Sequence, residues 1–98
     1  MRRHFIVSYD IADPVRLRKV HKTLCDFGDG IQLSVFCCQL SKKDRALLEA
    51  RLAKVIHHHQ DQVIFVDLGE CKRDQEGPPA CEVLGRPLAP GYVRCVVV

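Results

Sequence analysis

The alternation of hydrophobic and polar positions at the start of the chain predicts a strand followed by a helix. Phe5–Ile11 alternates and is rich in β-branched and aromatic residues, as is typical of a buried strand. Asp13 before Pro14 marks a helix N-terminus, and Gly28 marks its C-cap. Between these ends, apolar residues recur every three or four positions and predict the buried stripe of the helix: Leu17, Val20, Leu24 and Phe27.

A second extended run follows Gly30 and covers residues 31–40. Its alternation predicts a core face made of Ile31, Leu33, Val35 and Cys37. The opposite face carries a mixture of side chains: Gln32, Ser34, Phe36 and Cys38. An amide, a hydroxyl and an aromatic ring together suit an interface or a substrate surface, and they suit an exposed face of an edge strand equally well.

The second half of the chain predicts a helix and three further extended segments. Ser41 and Asp44 have the spacing of a capping box and open the helix. Its predicted buried face consists of Leu47, Leu48, Leu52, Val55 and Ile56. A strand over 63–69, a loop over 70–81, a short extended piece over 82–87 and a final strand over 92–98 follow. A final strand this apolar must pair with the edge of another strand.

Three consecutive histidines, His57–His59, stand at or just past the end of the second predicted helix. Three imidazoles suggest a metal site, but consecutive residues of a helix cannot all converge on one ion. Positive charge at a helix C-terminus complements the helix dipole. We therefore favour a solvated, cationic helix end over a metal site.

The order of these elements predicts an α/β (α+β) fold, a ferredoxin-like βαββαβ sandwich with an extra C-terminal strand. Residues 1–69 form the predicted core, and residues 70–98 form a loop and strand extension of the same single domain. A chain of 98 residues buries roughly two thirds of its unfolded surface. A partner subunit would therefore help to stabilise it.

Net charge, apolar runs and cysteine content narrow the possible partners and the expected cellular location. The net charge is only +3, but six of the basic residues fall within the first 22 positions. That local excess can meet phosphate, or it can form an ordinary solvated helix face.

No run approaches the roughly 20 apolar residues that span a bilayer, so no membrane partner is expected. No secretory signal is recognised, so we expect a cytoplasmic protein whose six cysteines are reduced and mostly packed, with Cys71 and Cys81 exposed.

Asp10 is the candidate for chemistry, because it places a charge within the β-rich first strand. It stands at the carboxyl end of the first strand, where α/β sheets often place their sites. A carboxylate there can bind a divalent cation or act as a base. From spacing alone a structural role is more common, in which Asp10 caps the next turn or pairs with Arg16 or Arg18. Arg16 begins the helix one turn beyond Asp10 and could reach a phosphate held near it.

Three stretches together resemble CRISPR-associated protein 2: Tyr9-Asp10-Ile11, the basic helix with Arg16 and Arg18, and the run Ile31–Phe36. The resemblance covers roughly residues 4–69. It implies a homodimer that acts as a metal-dependent nuclease on RNA or DNA, with one Asp10 from each subunit around a shared Mg²⁺ or Mn²⁺. Around that site it places Tyr9, Arg16, Arg18, Ser34 and Phe36.

The resemblance also implies a scaffold role in CRISPR adaptation. The dimer would bridge two dimers of the integrase, which is CRISPR-associated protein 1. It would also hold duplex DNA destined for insertion into a CRISPR array. The basic helix would contact nucleic acid through Arg16, Arg18, Lys19 and Lys22. The family's two middle strands must both fit within residues 30–40, which predicts a kink or bulge there.

Three functional hypotheses therefore stand side by side. The first is a metal-dependent phosphodiesterase in which Asp10 is the ligand and Arg16 or Arg18 neutralises charge on the phosphate. Oxygen-only ligation favours Mg²⁺ or Mn²⁺ over zinc. The second is a purely architectural subunit that binds duplex DNA without cutting it. The third is a generic ferredoxin-like regulatory module that binds a small ligand.

Overall fold

The computed structural model describes residues 1–72, 80–88 and 95–97. Its strands are β1 (Arg3–Asp10), β2 (Gly28–Gln32), β3 (Val35–Leu40), β4 (Gln62–Glu70), β5 (Cys81–Val83) and β6 (Cys95–Val97). Its helices are α1 (Pro14–Cys25) and α2 (Lys42–Val55). The element order therefore matches the predicted one.

Four of the strands form one antiparallel sheet in the order β2-β3-β1-β4. The central strand β1 places Phe5 opposite Cys38 of β3 and opposite Asp67 of β4. This strand order with two helices is consistent with the predicted ferredoxin-like fold, and the mixed α/β class is confirmed.

The hydrophobic core lies between this sheet and the two helices. Strand β1 contributes the buried side chains Phe5, Val7 and Tyr9. The helices and β3 add Val20, Leu24, Phe36, Cys38, Leu40, Leu48 and Leu52. Burial raises the pKa of the Cys38 thiol to about 12, so this cysteine packs as a neutral side chain, as predicted for most of the cysteines.

The other face of the sheet carries no helix. Successive residues of a strand point to opposite faces, so Ile6 and Ser8 of β1 face away from the core. Their partners in β4 are Val66 and Ile64, and these two side chains are 44% and 47% exposed. We call this surface the helix-free face, and it includes Asp10 by the same alternation.

Both predicted helix starts are confirmed. The Asp13 carboxylate accepts a hydrogen bond of 2.9 Å from the Arg16 amide, with Pro14 in the first turn. The Ser41 hydroxyl accepts one of 3.1 Å from the Asp44 amide. Side chains at these positions satisfy amides that the helix itself leaves unpaired.

Two leucines predicted to be buried are exposed instead. Leu17 is 40% exposed and Leu47 is 51% exposed. Helix α1 meets the core through Val20, Thr23 and Leu24, and α2 meets it through Leu48 and Leu52. The apolar stripe of each helix is therefore narrower than its sequence suggests.

A turn at Leu33 and Ser34 divides the extended run over residues 31–40, so the two expected middle strands are confirmed, although β2 begins earlier, at Gly28. Cys37 is buried as predicted, but two residues predicted for the opposite face are buried as well. Phe36 and Cys38 enter the core, whereas Leu33 is 93% exposed. The predicted irregularity is confirmed as a register shift between Gly30 and Gln32.

Gly28 was predicted to cap α1, and this prediction is also wrong. The helix ends at Cys25 with Asp26 as its C-cap, and Gly28 is the first residue of β2, opposite Cys38. A Cβ added to Gly28 would lie 2.5 Å from both the Cys37 carbonyl oxygen and the Cys38 Sγ. The glycine is needed for close approach of two strands rather than for a helix end.

The C-terminal part forms a small parallel pair, β5 with β6, apart from the main sheet. The predicted final strand is confirmed over 95–97, and its partner edge is β5. The extended piece over 82–87 is a strand only as far as Val83. Residues 73–79 of the predicted loop, and the rest of the predicted final strand, lie outside the described residues.

Two smaller expectations differ in degree. Cys71 and Cys81 are partly buried rather than exposed, whereas Cys25 is exposed.

Within the described ranges, no helix has the length and apolar character needed to cross a membrane.

Candidate functional site

A cleft of about 490 Å³ opens where the end of β1, the first half of α1 and the β2–β3 turn meet. Four of the predicted site residues line it: Tyr9, Asp10, Arg18 and Ser34. The remaining lining residues are Ile11, Leu17, His21 and Leu33. Leu17 is thus a wall of this cleft rather than a core residue.

The Asp10 carboxylate is exposed and has no hydrogen bond or ion pair with any residue that the structure describes. The structural roles considered for it are filled by other residues. Asp13 caps α1, and Arg16 pairs with Asp61. Asp10 is therefore free to bind a ligand from outside the chain.

Tyr9 holds the β2–β3 turn against the end of β1. Its side chain is only 4% exposed, and its hydroxyl donates a hydrogen bond of 3.1 Å to the Leu33 carbonyl oxygen. Its backbone amide donates one of 3.1 Å to the Ser34 carbonyl oxygen. Burial, and then the nearby Cys25, raise the pKa of the Tyr9 phenol. Tyr9 therefore shapes the cleft as a neutral side chain.

His21 is a cleft residue that sequence reasoning missed. Its Nδ1 lies 3.0 Å from the Tyr9 hydroxyl. We assign the proton of that contact to Nδ1, because the single phenol proton goes to Leu33. The available signal was spacing, since His21 follows Arg18 by three residues and so shares its side of α1.

Phe36 supports the cleft from inside the protein. It is 1% exposed, and its ring centroid lies 5.2 Å from that of His21 and 6.3 Å from that of Tyr9. A ring this buried contributes packing beneath the cleft. Ser34 is partly exposed at the rim.

Arg16 does not line the cleft. Its Nε donates a hydrogen bond of 2.7 Å to Asp61 Oδ2, and the Asp61 side chain is 0% exposed. The Arg16 guanidinium holds the pKa of the Asp61 carboxyl well below its usual range, and it is the largest cause of that shift. Asp61 was not predicted, because its partner Arg16 lies 45 positions away in the sequence.

The predicted nucleic-acid contacts divide into two kinds. Arg18, Lys19 and Lys22 are exposed on α1 and have no ion pair within the described part of the chain. Arg16 is already paired, as described above. Three cations on one helix, without internal partners, are available to phosphate.

The described residues of one copy do not form a complete metal site. Among residues 1–72, 80–88 and 95–97, no group of three or more His, Cys, Asp or Glu residues is placed to hold a metal ion. His57 Nδ1 instead accepts a hydrogen bond of 3.2 Å from the His59 amide. In the cleft, the described part of one protomer therefore offers a cation a single free carboxylate, that of Asp10.

Comparison with known proteins identifies a family for this architecture. Residues 2–76 match the family described as CRISPR associated protein Cas2. The chain is 34% identical over the full length of both chains to a protein of Geobacter sulfurreducens named CRISPR-associated endoribonuclease Cas2.

Solved structures agree with this match. The chain is similar to Streptococcus pyogenes Cas2, with a TM-score of 0.64 and 32% identity, covering 67% of this chain and 86% of that one. It is also similar to a protein of Thermus thermophilus described as hypothetical, with a TM-score of 0.69 and 28% identity, covering 81% and 96% of the two chains. The chain, with its Tyr9-Asp10 strand end and antiparallel four-stranded sheet, belongs to the family of CRISPR associated protein Cas2.

Proposed function

We propose that the protein is a homodimeric, metal-dependent nuclease of CRISPR adaptation that hydrolyses phosphodiester bonds in RNA or DNA. The observation that carries this proposal is the Asp10 carboxylate, which has no partner among the described residues and shares a cleft with Arg18. The names of relatives support it, since they include endoribonucleases and an endonuclease. Those names leave open which nucleic acid this chain prefers.

The proposed partner of the helix-free face is a second copy of the chain. Ile64, Val66 and Leu68 of β4 are each nearly half exposed, although the strand is apolar along most of its length. Covering this face with a second copy removes the exposed side chains from water. It also brings two Asp10 side chains towards one another, because Asp10 belongs to the same face by alternation.

The proposed cofactor is Mg²⁺ or Mn²⁺, held by the two Asp10 carboxylates. Hard divalent cations prefer oxygen ligands, which suits carboxylates. Since the described residues of one protomer gather no group of three ligand side chains, the proposed site draws on both copies. When bound, such an ion polarises a phosphoryl oxygen and lowers the pKa of bound water. The chain's own contribution is to fix the cleft through Tyr9 and to neutralise phosphate charge through Arg18.

The test compares wild type, Asp10→Asn and the control Asp29→Asn on single-stranded RNA and duplex DNA. Each reaction is run with Mg²⁺, with Mn²⁺ and with chelator. Asp29 is an exposed carboxylate of β2 that does not line the cleft. We expect cutting that needs metal, that is lost in Asp10→Asn and that persists in Asp29→Asn. Undiminished cutting by Asp10→Asn would remove the basis of the proposal.

A second candidate function is an architectural subunit that holds duplex DNA for the CRISPR-associated protein 1 integrase. The observation that favours it is a set of cations on α1 that have no ion pair with any described residue: Arg18, Lys19 and Lys22. It predicts duplex binding that weakens steeply with salt and survives Asp10→Asn. A flat response to salt would count against it.

A further inference from the structure

The carboxylate of Asp61 joins three separate segments of the chain. Besides the Arg16 bond, its Oδ1 accepts a hydrogen bond of 2.9 Å from the Ala12 amide, and its Oδ2 accepts one of 2.8 Å from the His57 amide. Arg16 Nη2 also donates to Oδ1 at 3.2 Å. These contacts link the β1–α1 loop, the first turn of α1 and the α2–β4 loop.

Both segments beside Asp10 are held by this carboxylate. Ala12 lies two residues after Asp10 in the chain, and Gln62, which directly follows Asp61, is the residue paired with Asp10 across β1 and β4. The position of Asp10 is therefore fixed on both sides by one enclosed side chain, which is 0% exposed. A charge in such a place is stable only while its donors remain.

Arg16 is committed to this arrangement. Its Nε and Nη2 both donate to Asp61, and Nη2 also donates to the Gln60 Oε1 at 3.2 Å. The two parallel bonds to one carboxylate are the strong, orientation-specific form of the contact. Arg18, two residues later on the same helix, is exposed and unpaired within the described residues.

We propose that Asp61 and Arg16 form a positioning pair for Asp10, and that Arg16 acts on the reaction through Asp61 rather than by contact with a phosphate. Arg18 is then the arginine that meets the phosphate. The kinetic part of this inference rests on the proposed nuclease function, whereas its structural part does not.

The experiment compares Arg16→Ala, Asp61→Asn and their double variant with the control Arg18→Ala. Three quantities are measured: hydrogen exchange at residues 10–13, the salt dependence of duplex DNA binding in chelator, and kcat and KM for cleavage. If Arg16→Ala does not fold, Arg16→Lys replaces it, because a lysine keeps the charge and can donate to Asp61.

We expect Arg16→Ala and Asp61→Asn to raise exchange at the Ala12 amide by about tenfold, as loss of one supporting hydrogen bond implies. Both should lower kcat with KM little changed, and the double variant should be no worse than either single one. Arg18→Ala should reduce the salt slope by about one unit, and Arg16→Ala should leave it unchanged.

The opposite pattern overturns the inference. It consists of a salt slope that falls by about one unit in Arg16→Ala, with normal exchange at residues 10–13. Multiplied losses in the double variant would point the same way. If wild type cuts nothing, the nuclease proposal fails by itself, and the exchange and salt measurements still decide whether Arg16 is a positioning residue.

Discussion

At the scale of single residues, the cleft combines exposed side chains with buried side chains that support them. Asp10 and Arg18 are exposed in the cleft, whereas Tyr9 and Phe36 are buried beneath it. All four stand in the stretches that carry the resemblance. A position close to Asp10 in the sequence therefore does not show whether a side chain can contact a ligand or only supports the side chains that can.

Tyr9→Phe tests this distinction. Loss of the hydroxyl removes the bond to the Leu33 carbonyl oxygen and leaves His21 Nδ1 without its partner. We expect the free energy of unfolding, from denaturant titration, to fall by about 1 kcal/mol. Cleavage measured well below the melting temperature should stay within a few-fold of wild type. A loss of cleavage near 100-fold with unchanged stability would instead make Tyr9 a catalytic residue.

The low pKa of Asp61 makes a second prediction at this scale. Because its folded-state pKa is depressed, its contribution to stability is fully present above the unfolded carboxyl pKa of about 4. That contribution is lost as the pH falls below about 4 and towards the folded-state pKa. The difference in unfolding free energy between wild type and Asp61→Asn should be constant from about pH 7 to pH 5 and shrink below about pH 4.

Asp67→Asn is the control for the acid titration. The pKa of Asp67 is also lowered, first by the Gly69 amide and then by Arg3. Its pair with Arg3 is exposed, at 43% and 46%, so solvent screens it. We expect the same direction and a smaller effect. Equal effects for Asp61 and Asp67 would mean that enclosure of the Asp61 carboxylate adds nothing.

At the scale of elements, the sequence predicted the order of strands and helices because their signals are local. Asp13-Pro14 and Ser41 mark helix starts by their own side chains. The β2–β3 turn carries a weaker signal, since Ser34 is a common turn residue but Leu33 is not. Because the position of this turn was not located, the burial of Phe36 and Cys38 was not predicted.

Gly28→Ala tests why this hairpin begins where it does. The added methyl group would lie 2.5 Å from the Cys37 carbonyl oxygen and from the Cys38 Sγ, so the two strands must separate. We expect a loss of about 1–3 kcal/mol in the free energy of unfolding, measured in urea. Gly30→Ala is the matched control, because its Cβ would meet the Phe36 ring at an ordinary 3.6 Å. Equal stability of the two variants would show that β2 can shift to accept the methyl group.

The Asp61–Arg16 pair shows what sequence reasoning could not reach. The two residues are 45 positions apart, and only the fold brings the α2–β4 loop to the start of α1. Asp10 and Arg18 could be proposed as site residues because they lie in the sequence stretches that carry the family resemblance. Asp61 has no such neighbour, so its role follows only from tertiary contacts.

At the scale of the whole molecule, the sequence of β4 predicts a strand that is buried on both faces, but a single copy of the chain covers only one of them. Val63–Val66 is apolar at four successive positions, a pattern typical of strands covered on both faces. The helices cover Val63 and Phe65, but Ile64 and Val66 remain nearly half exposed. The proposed second copy accounts for this excess.

Val66→Lys tests whether that face is a dimer interface. An ammonium group placed in a dry interface without a partner costs several kcal/mol, so we expect the dimer dissociation constant to rise by about 100-fold or more. Sedimentation equilibrium over a range of protein concentrations measures it. Leu47→Lys is the matched control, because Leu47 is 51% exposed on α2, away from the helix-free face.

The same two variants separate assembly from chemistry. If a shared ion needs one Asp10 from each subunit, Val66→Lys should lose metal-dependent cutting at concentrations where it is monomeric and recover it where it dimerises. Leu47→Lys should cut like wild type at every concentration. A monomeric Val66→Lys protein that still cuts would mean that one Asp10 suffices, and a dimer unaffected by Val66→Lys would mean that the copies meet through another surface.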